Sequence, residues 1–195
     1  WNSFVKRAFD IVCSLLGLIV LSPLFLAVAI GVKLSSPGPV IYSQERMGKD
    51  KKIFVMYKFR SMAVEGNADT TTWGTRRDPR RTRFGAFLRK FSIDELPQLW
   101  NVLRGDMSLV GPRPERPYFV ERFRDEIPLY MIKHLVRPGI TGWAQVNGWR
   151  GDTSIEKRIE FDLHYIENWS FLFDLKILFL TLFHGIVNPS EDVGS

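Results

Sequence analysis

A chain of 195 residues, 45% of them apolar, holds enough material for one domain with a real core, or for one domain with an appendage. A net charge of +6 and a pI near 9.6 favour an anionic partner: nucleic acid, phosphorylated small molecules or anionic lipid. The single cysteine, Cys13, excludes an internal disulfide and a cysteine-based zinc cluster, and the three histidines, His134, His164 and His184, are too scattered to suggest a metal site.

The chain begins at Trp1, as a piece of a longer protein would. Ile11 to Val32 is 22 residues without a charge. As a straight helix it would be about 33 Å long, enough to cross a bilayer. Ser22-Pro23 falls in its middle, where proline removes a backbone hydrogen bond and bends the helix. Lys6 and Arg7 precede it and Lys33 follows it, so the positive-inside preference puts both ends on the cytoplasmic side. A helix that enters, bends at Ser22-Pro23 and returns satisfies both facts. A kinked transmembrane helix is the plainer alternative.

Ser35-Ser36-Pro37-Gly38-Pro39 marks a boundary. Val40 to Gln44 and Ile53 to Arg60 read as two strands of a hairpin around Gly48. Lys58 and Arg60 end the second strand, in reach of a ligand or as plain surface charges. Ala63 to Asp78 is polar and reads as a loop. Arg76 to Lys90 carries seven basic residues in fifteen, and Phe84, Phe87, Leu88 and Phe91 make its second half an amphipathic helix suited to a membrane interface or to nucleic acid.

Ser92 to Pro114 is the stretch with chemistry in it. Ser92 with Glu95 has the capping-box spacing, Pro97 fits a first turn, and a helix follows to about Arg104-Gly105. Asp94 and Glu95 then lie at its positive end. Gly111-Pro112-Arg113-Pro114 holds one arginine between two prolines. Tyr118 to Val136 reads as helical with a break at Pro128, and Arg137-Pro138-Gly139 is a second stiff loop bearing an arginine. Ala144 to Trp149 reads as extended. Ser154 to Asn168 is helical, with Glu160 and Asp162 along it, and Trp169 to Val187 reads as an interfacial helix, with a buried core helix as the competing reading.

Arg89, Arg113 and Arg137 sit on stiffened elements, which suits bidentate recognition of phosphate. Two adjacent acids among them have two natural jobs: to hold a divalent metal against phosphate charge, or to attack phosphorus. With an apolar helix nearby, this points to phosphoryl transfer at a lipid surface. No Gly-x-x-x-x-Gly-Lys loop is present, which disfavours a P-loop nucleotidase.

The chain resembles the bacterial sugar transferase family, the monotopic phosphoglycosyl transferases, along nearly its whole length. The resemblance rests on KRAFD at Lys6 to Asp10, the Ser22-Pro23 break, YKFRSM at Tyr57 to Met62, and DELPQLWNVLRGDMSLVGPRP at Asp94 to Pro114. VRPGITGWAQVNG at Val136 to Gly148 and FDLHYIENWSFLFDLKI at Phe161 to Ile177 extend it. It implies an α/β fold: a compact, mostly helical catalytic domain, residues 35–195, over a re-entrant membrane helix, residues 1–34, at the cytoplasmic face of the bacterial inner membrane. It implies Mg²⁺-dependent transfer of a sugar phosphate from a UDP-sugar to undecaprenyl phosphate, with release of UMP and ping-pong kinetics. By the same resemblance Asp94 is the nucleophile and the candidate ligand of Mg²⁺, and Glu95 assists by deprotonating the incoming lipid phosphate. Lys58, Arg60, Arg89, Arg113 and Arg137 fall near the substrates, as do Glu160 and Asp162. GWRGDTSIEKRIEFDLHYIENWS looks most like glucose-phosphate transferases of exopolysaccharide synthesis, with galactose-phosphate transferase as the runner-up. Membrane lipid is the implied partner, nucleic acid is not, and a homo-oligomer is compatible. A membrane-tethered anion-binding module is the rival from another class: it explains the pI but has no use for two acids among the arginines.

Overall fold

A computed structural model describes residues 2–64, 80–151 and 153–185. The loop expected at Ala63 to Asp78, with Arg76 and Arg77, lies almost wholly outside the described residues.

Helix α1 (Asn2–Val20) and helix α2 (Ser22–Ser35) meet at a bend of 61°. Pro23 has no N–H for the Ile19 carbonyl four residues back, and the Ser22 hydroxyl donates to that carbonyl instead, at 2.7 Å. Among the described residues no single helix is long and apolar enough to cross a membrane; the bent pair together has the length and composition. Leu16, Ile19, Val20, Leu26 and Ile30 stay exposed along it. Its other side is built into the domain. Arg7 donates to the Val102 and Leu103 carbonyls at 2.6 and 2.9 Å, and Asp10 accepts from the Leu109 amide at 3.2 Å. Gly31 lets the helix close on Phe84, where an added Cβ would lie 2.5 Å from the ring.

Strands β1 (Ile41–Met47) and β2 (Ile53–Phe59) form an antiparallel hairpin, with Ile41 opposite Phe59 and Met47 opposite Ile53. Phe54 and Met56 turn to one face and pack on Val102 and Met107. Phe59 joins Val28, Val32 and Leu88 in a second cluster, against Ile93 and Leu96. Helix α3 (Arg83–Lys90) is capped by Thr82, which accepts from the Gly85 amide. A 3-10 turn, Ile93–Glu95, leads to helix α4 (Gln98–Arg104), closed by Gly105 in the left-handed region at φ 97°. Asn101 of α4 bonds the β2 backbone at Tyr57 and Val55, which fixes helix to hairpin.

Strand β3 (Ser108–Val110) pairs in parallel with β4 (Gly139–Thr141). An added Cβ on Gly139 would lie 2.1 Å from the Gly111 amide nitrogen, so this close crossing requires glycine. Helix α5 (Pro117–Glu126) ends before a 3-10 segment at Tyr130–Leu135, with the break near Pro128. Helix α6 (Trp143–Val146), helix α7 (Ile155–Glu167) and helix α8 (Phe171–Leu180) complete the described chain, with a π turn at Thr181–Gly185.

Two local expectations are corrected. Ser92 is not a capping residue: it sits at φ 55°, ψ 19° and makes no side-chain cap, because the chain reverses there out of α3. Trp143–Val146 is a helical turn rather than part of an extended segment, driven by aromatic packing of Trp143 on Phe173. Among the described residues the fold is mostly helical with two small sheets.

Candidate active site

The 3-10 turn between α3 and α4 turns two acids inward. Asp94 is 7% exposed and Glu95 5%. β2 brings Lys58 to Glu95, with Nζ 2.8 Å from Oε1. The Pro-Arg-Pro loop after β3 brings Arg113, whose Nη2 lies 2.8 Å from the same oxygen. The loop after α6 brings Arg150, which donates from Nη2 to Glu95 Oε2 at 3.1 Å and from Nη1 to Ser92 Oγ at 3.0 Å. Both oxygens of Glu95 are therefore held by cations.

Asp94 is held differently. Among the described residues its carboxylate has no ion pair or hydrogen bond, although Lys58, Arg89 and Arg150 lie close enough to act on its charge. Burial, with the neighbouring charge of Glu95 added, raises the Asp94 carboxyl above its ordinary value, against the pull of those cations. Burial alone would raise Glu95 too, but Arg113, Lys58 and Arg150 outweigh it and hold that carboxyl well below the usual range. The Arg113 guanidinium is raised, chiefly by Glu95. Lys58 and Arg150 are lowered, chiefly by burial. The two adjacent acids therefore sit in opposed environments: Glu95 is held as an anion by its cations, and Asp94 has no partner on its oxygens among the described residues.

The structure brings Asp94, Glu95, Lys58, Arg89 and Arg113 together, and leaves four other expected residues elsewhere. Arg60 is 5% exposed and spends its guanidinium on the Val32, Ser36 and Pro37 carbonyls, pinning the end of α2. Arg137 donates from Nε to the Gly105 carbonyl at the far end of α4, at 3.0 Å. Glu160 points outward to Lys157 at 2.8 Å. Asp162 is buried against Lys133 at 3.3 Å, in a second charged cluster with Glu115, Arg158 and Arg46. For the two arginines the reason is physical: spacing shows that an arginine is stiffly mounted, but not which way it points. Arg150 was missed, although its Gly148-Trp-Arg-Gly151 setting is the glycine counterpart of Pro-Arg-Pro. Both glycines have positive φ, 85° and 70°.

The donor set fits a magnesium ion of the open kind. No group of three or more His, Cys, Asp or Glu able to cage a metal occurs among the described residues. Asp94 offers a hard oxygen without a competing partner among those residues, and Mg²⁺ completes its shell with waters and phosphate oxygens rather than protein.

The bacterial sugar transferase family model matches residues 1–188. The chain belongs to the bacterial sugar transferase family. A relative from Escherichia coli (strain K12), UDP-glucose:undecaprenyl-phosphate glucose-1-phosphate transferase, is 54% identical over 193 residues, covering 97% of this chain and 42% of its own length. Exopolysaccharide production protein PSS of Rhizobium leguminosarum bv. phaseoli is 46% identical over 190 residues, 91% of this chain and 93% of its own. Undecaprenyl-phosphate galactose phosphotransferase of Salmonella typhimurium (strain LT2) is 42% identical over 195 residues, 92% of this chain and 40% of its own. The chain thus spans about two fifths of the first and third of these relatives. Within the bacterial sugar transferase chain, the matched length takes in the bent helix pair and every residue that converges on Glu95.

Proposed function

We propose that this chain transfers a sugar 1-phosphate, glucose 1-phosphate foremost, from a UDP-sugar to undecaprenyl phosphate, and so begins an exopolysaccharide. The observation that carries the reading is the contrast inside the acid pair. Glu95 is committed to three cations, while Asp94, nearly as buried, has a carboxylate with no ion pair or hydrogen bond among the described residues.

An Asp94 oxygen attacks the sugar-bearing phosphorus of the donor. The P–O bond to the inner phosphate breaks, UMP leaves with the bridging oxygen, and the sugar phosphate stays on Asp94 as an acyl phosphate. An oxygen of undecaprenyl phosphate then attacks the same phosphorus, which releases the Asp94 carboxylate and forms the lipid diphosphate sugar. Lys58, Arg113 and Arg150 screen the phosphate charges that would otherwise repel the carboxylate. Mg²⁺, held at Asp94, would supply further screening of those charges. Glu95 keeps the cations spaced. It accepts the lipid phosphate's proton only once a cation has passed from it to substrate, because a carboxylate held so low is a weak base.

The exposed apolar face of α1 and α2 suits a lipid surface. We place the chain at the cytoplasmic face of the inner membrane, with the bend re-entrant at Ser22-Pro23. Glucose is preferred to galactose as the donor sugar because the relative that names glucose is 54% identical and the one that names galactose 42%.

The test is UMP release in detergent with Mg²⁺ and undecaprenyl phosphate, for UDP-glucose and UDP-galactose in parallel. Release with UDP-glucose, lost in Asp94→Ala, supports the reading. Release with UDP-galactose alone keeps the chemistry and changes the sugar. Anion binding kept or improved in Asp94→Ala, with no turnover in the unaltered chain, would favour the anion-binding module.

A further inference from the structure

The two arginines that meet on Glu95 come from loops far apart in sequence, and one buried guanidinium touches both loops. Arg158, in the first turn of α7, is 2% exposed. Its Nη1 donates to Glu115 Oε1 at 2.9 Å, two residues after Arg113. Its Nη2 donates to the Gly151 carbonyl at 2.7 Å, one residue after Arg150. We propose that Arg158 is a positioning residue that sets the Arg113 loop and the Arg150 loop in register, so that both guanidinium groups converge on the acid pair. This deepens the proposed function and rests on it for its kinetic arm.

The contacts around Arg158 make the link stiff. The Arg113 loop is held from behind by Arg46 on the Pro114 carbonyl at 3.0 Å, by the Met47 amide on the Glu115 carbonyl at 2.9 Å, and by the Gly139 amide on the Pro112 carbonyl at 2.9 Å. The Arg150 loop is held at its other end by the Trp149 amide on the Ala144 carbonyl at 2.9 Å. What remains is the relative placement of the two loops, and a rigid planar guanidinium that donates to both at once couples their positions. A lysine there keeps the charge and loses the fork. Asp162, one turn further along α7, holds Lys133 at 3.3 Å, so α7 contributes one cation and one anion to this buried cluster.

Removing Arg158 alone would leave Glu115 buried without this partner, and the chain would be at risk of unfolding. Two variants avoid that: Arg158→Lys, and the charge-balanced pair Arg158→Met with Glu115→Gln. The first readout needs no turnover. Amide hydrogen exchange of the folded variants should speed up at least tenfold in both 111–115 and 148–151, with α4 and α8 unchanged. The second readout is kinetic. The kcat/KM for the UDP-sugar should fall on the order of a hundredfold. Arg158→Lys should cost far less in an Arg150→Ala background than alone, because the two act in series. Unchanged exchange in either loop, uniform loosening of the chain, or fully additive kinetic losses would each overturn the proposal. A wild-type chain that releases no UMP would refute the proposed function instead, and the exchange result would still decide this one.

Discussion

Asp94 and Glu95 are neighbours in sequence and nearly equal in burial, yet their surroundings push their carboxyls in opposite directions. Asp94 is raised by burial without an ion pair among the described residues. Glu95 is lowered, against the same burial, by three cations.

Opposite stability effects follow from that contrast. Asp94→Asn removes a buried charge and a like-charge neighbour of Glu95, so it should abolish turnover while leaving the melting temperature unchanged or raising it. Glu95→Gln leaves Lys58, Arg113 and Arg150 facing one another and should cost about 3–5 kcal/mol. Thermal melts of the two variants in the same detergent check this. Equal destabilisation by both would contradict it.

Arg60 should prove structural. Arg60→Met removes charged donors from three carbonyls at the end of α2 and should destabilise by on the order of 3 kcal/mol. The folded fraction should keep its donor KM within about twofold, whereas Arg113→Lys, which gives up a fork on Glu95, should lose on the order of a hundredfold in kcat/KM. Steady-state UMP release on each variant separates the two arginines.

The sequence made the elements legible more readily than their contacts. Hydrophobic spacing located α3, α7 and the hairpin, and Pro23 located the bend, because each is a local property of the chain. The acid pair and Arg113 were legible from adjacency and from the flanking prolines. Arg60, Arg137 and Arg150 were not, because a long side chain reaches several ångströms in directions set by tertiary packing. Ser92 was misread for a related reason: Ser-x-x-Glu is a capping box only if Glu95 reaches back, and here three cations claim it. The parallel pairing of β3 with β4 joins segments about thirty residues apart, which no local pattern announces.

His134 should set the stability of the domain in mild acid. Burial, with Lys133 beside it, pushes its imidazole down to about 4. An unfolded histidine binds its proton near pH 6.5. Between those values the unfolded state binds the proton and the native state does not, so stability falls as pH drops from about 6.5 to about 4, by on the order of 2–3 kcal/mol. Glu95 and Glu115, held low, begin to lose their contribution as pH falls through the ordinary carboxylate range and lose the rest below it, so most of the histidine window lies above theirs. Melts at pH 7 and pH 5 should differ by about 6 °C, and His134→Gln should flatten the difference.

The bend has a topological consequence. In a Cys13→Ser background, Ser3→Cys and Ser36→Cys should both react with an impermeant maleimide from the same face of oriented vesicles. Reaction from opposite faces would make the helix pair a span and refute re-entry.

The claim at the centre is that Asp94 carries the sugar phosphate between two substrates. The direct measurement is rapid-quench analysis with sugar-labelled UDP-glucose and no lipid acceptor. The account predicts a burst of UMP stoichiometric with enzyme, label retained on the protein, no label on Asp94→Ala, and discharge of the label when undecaprenyl phosphate is added. UMP that appears only when both substrates are present, or label that persists on Asp94→Ala, would contradict it.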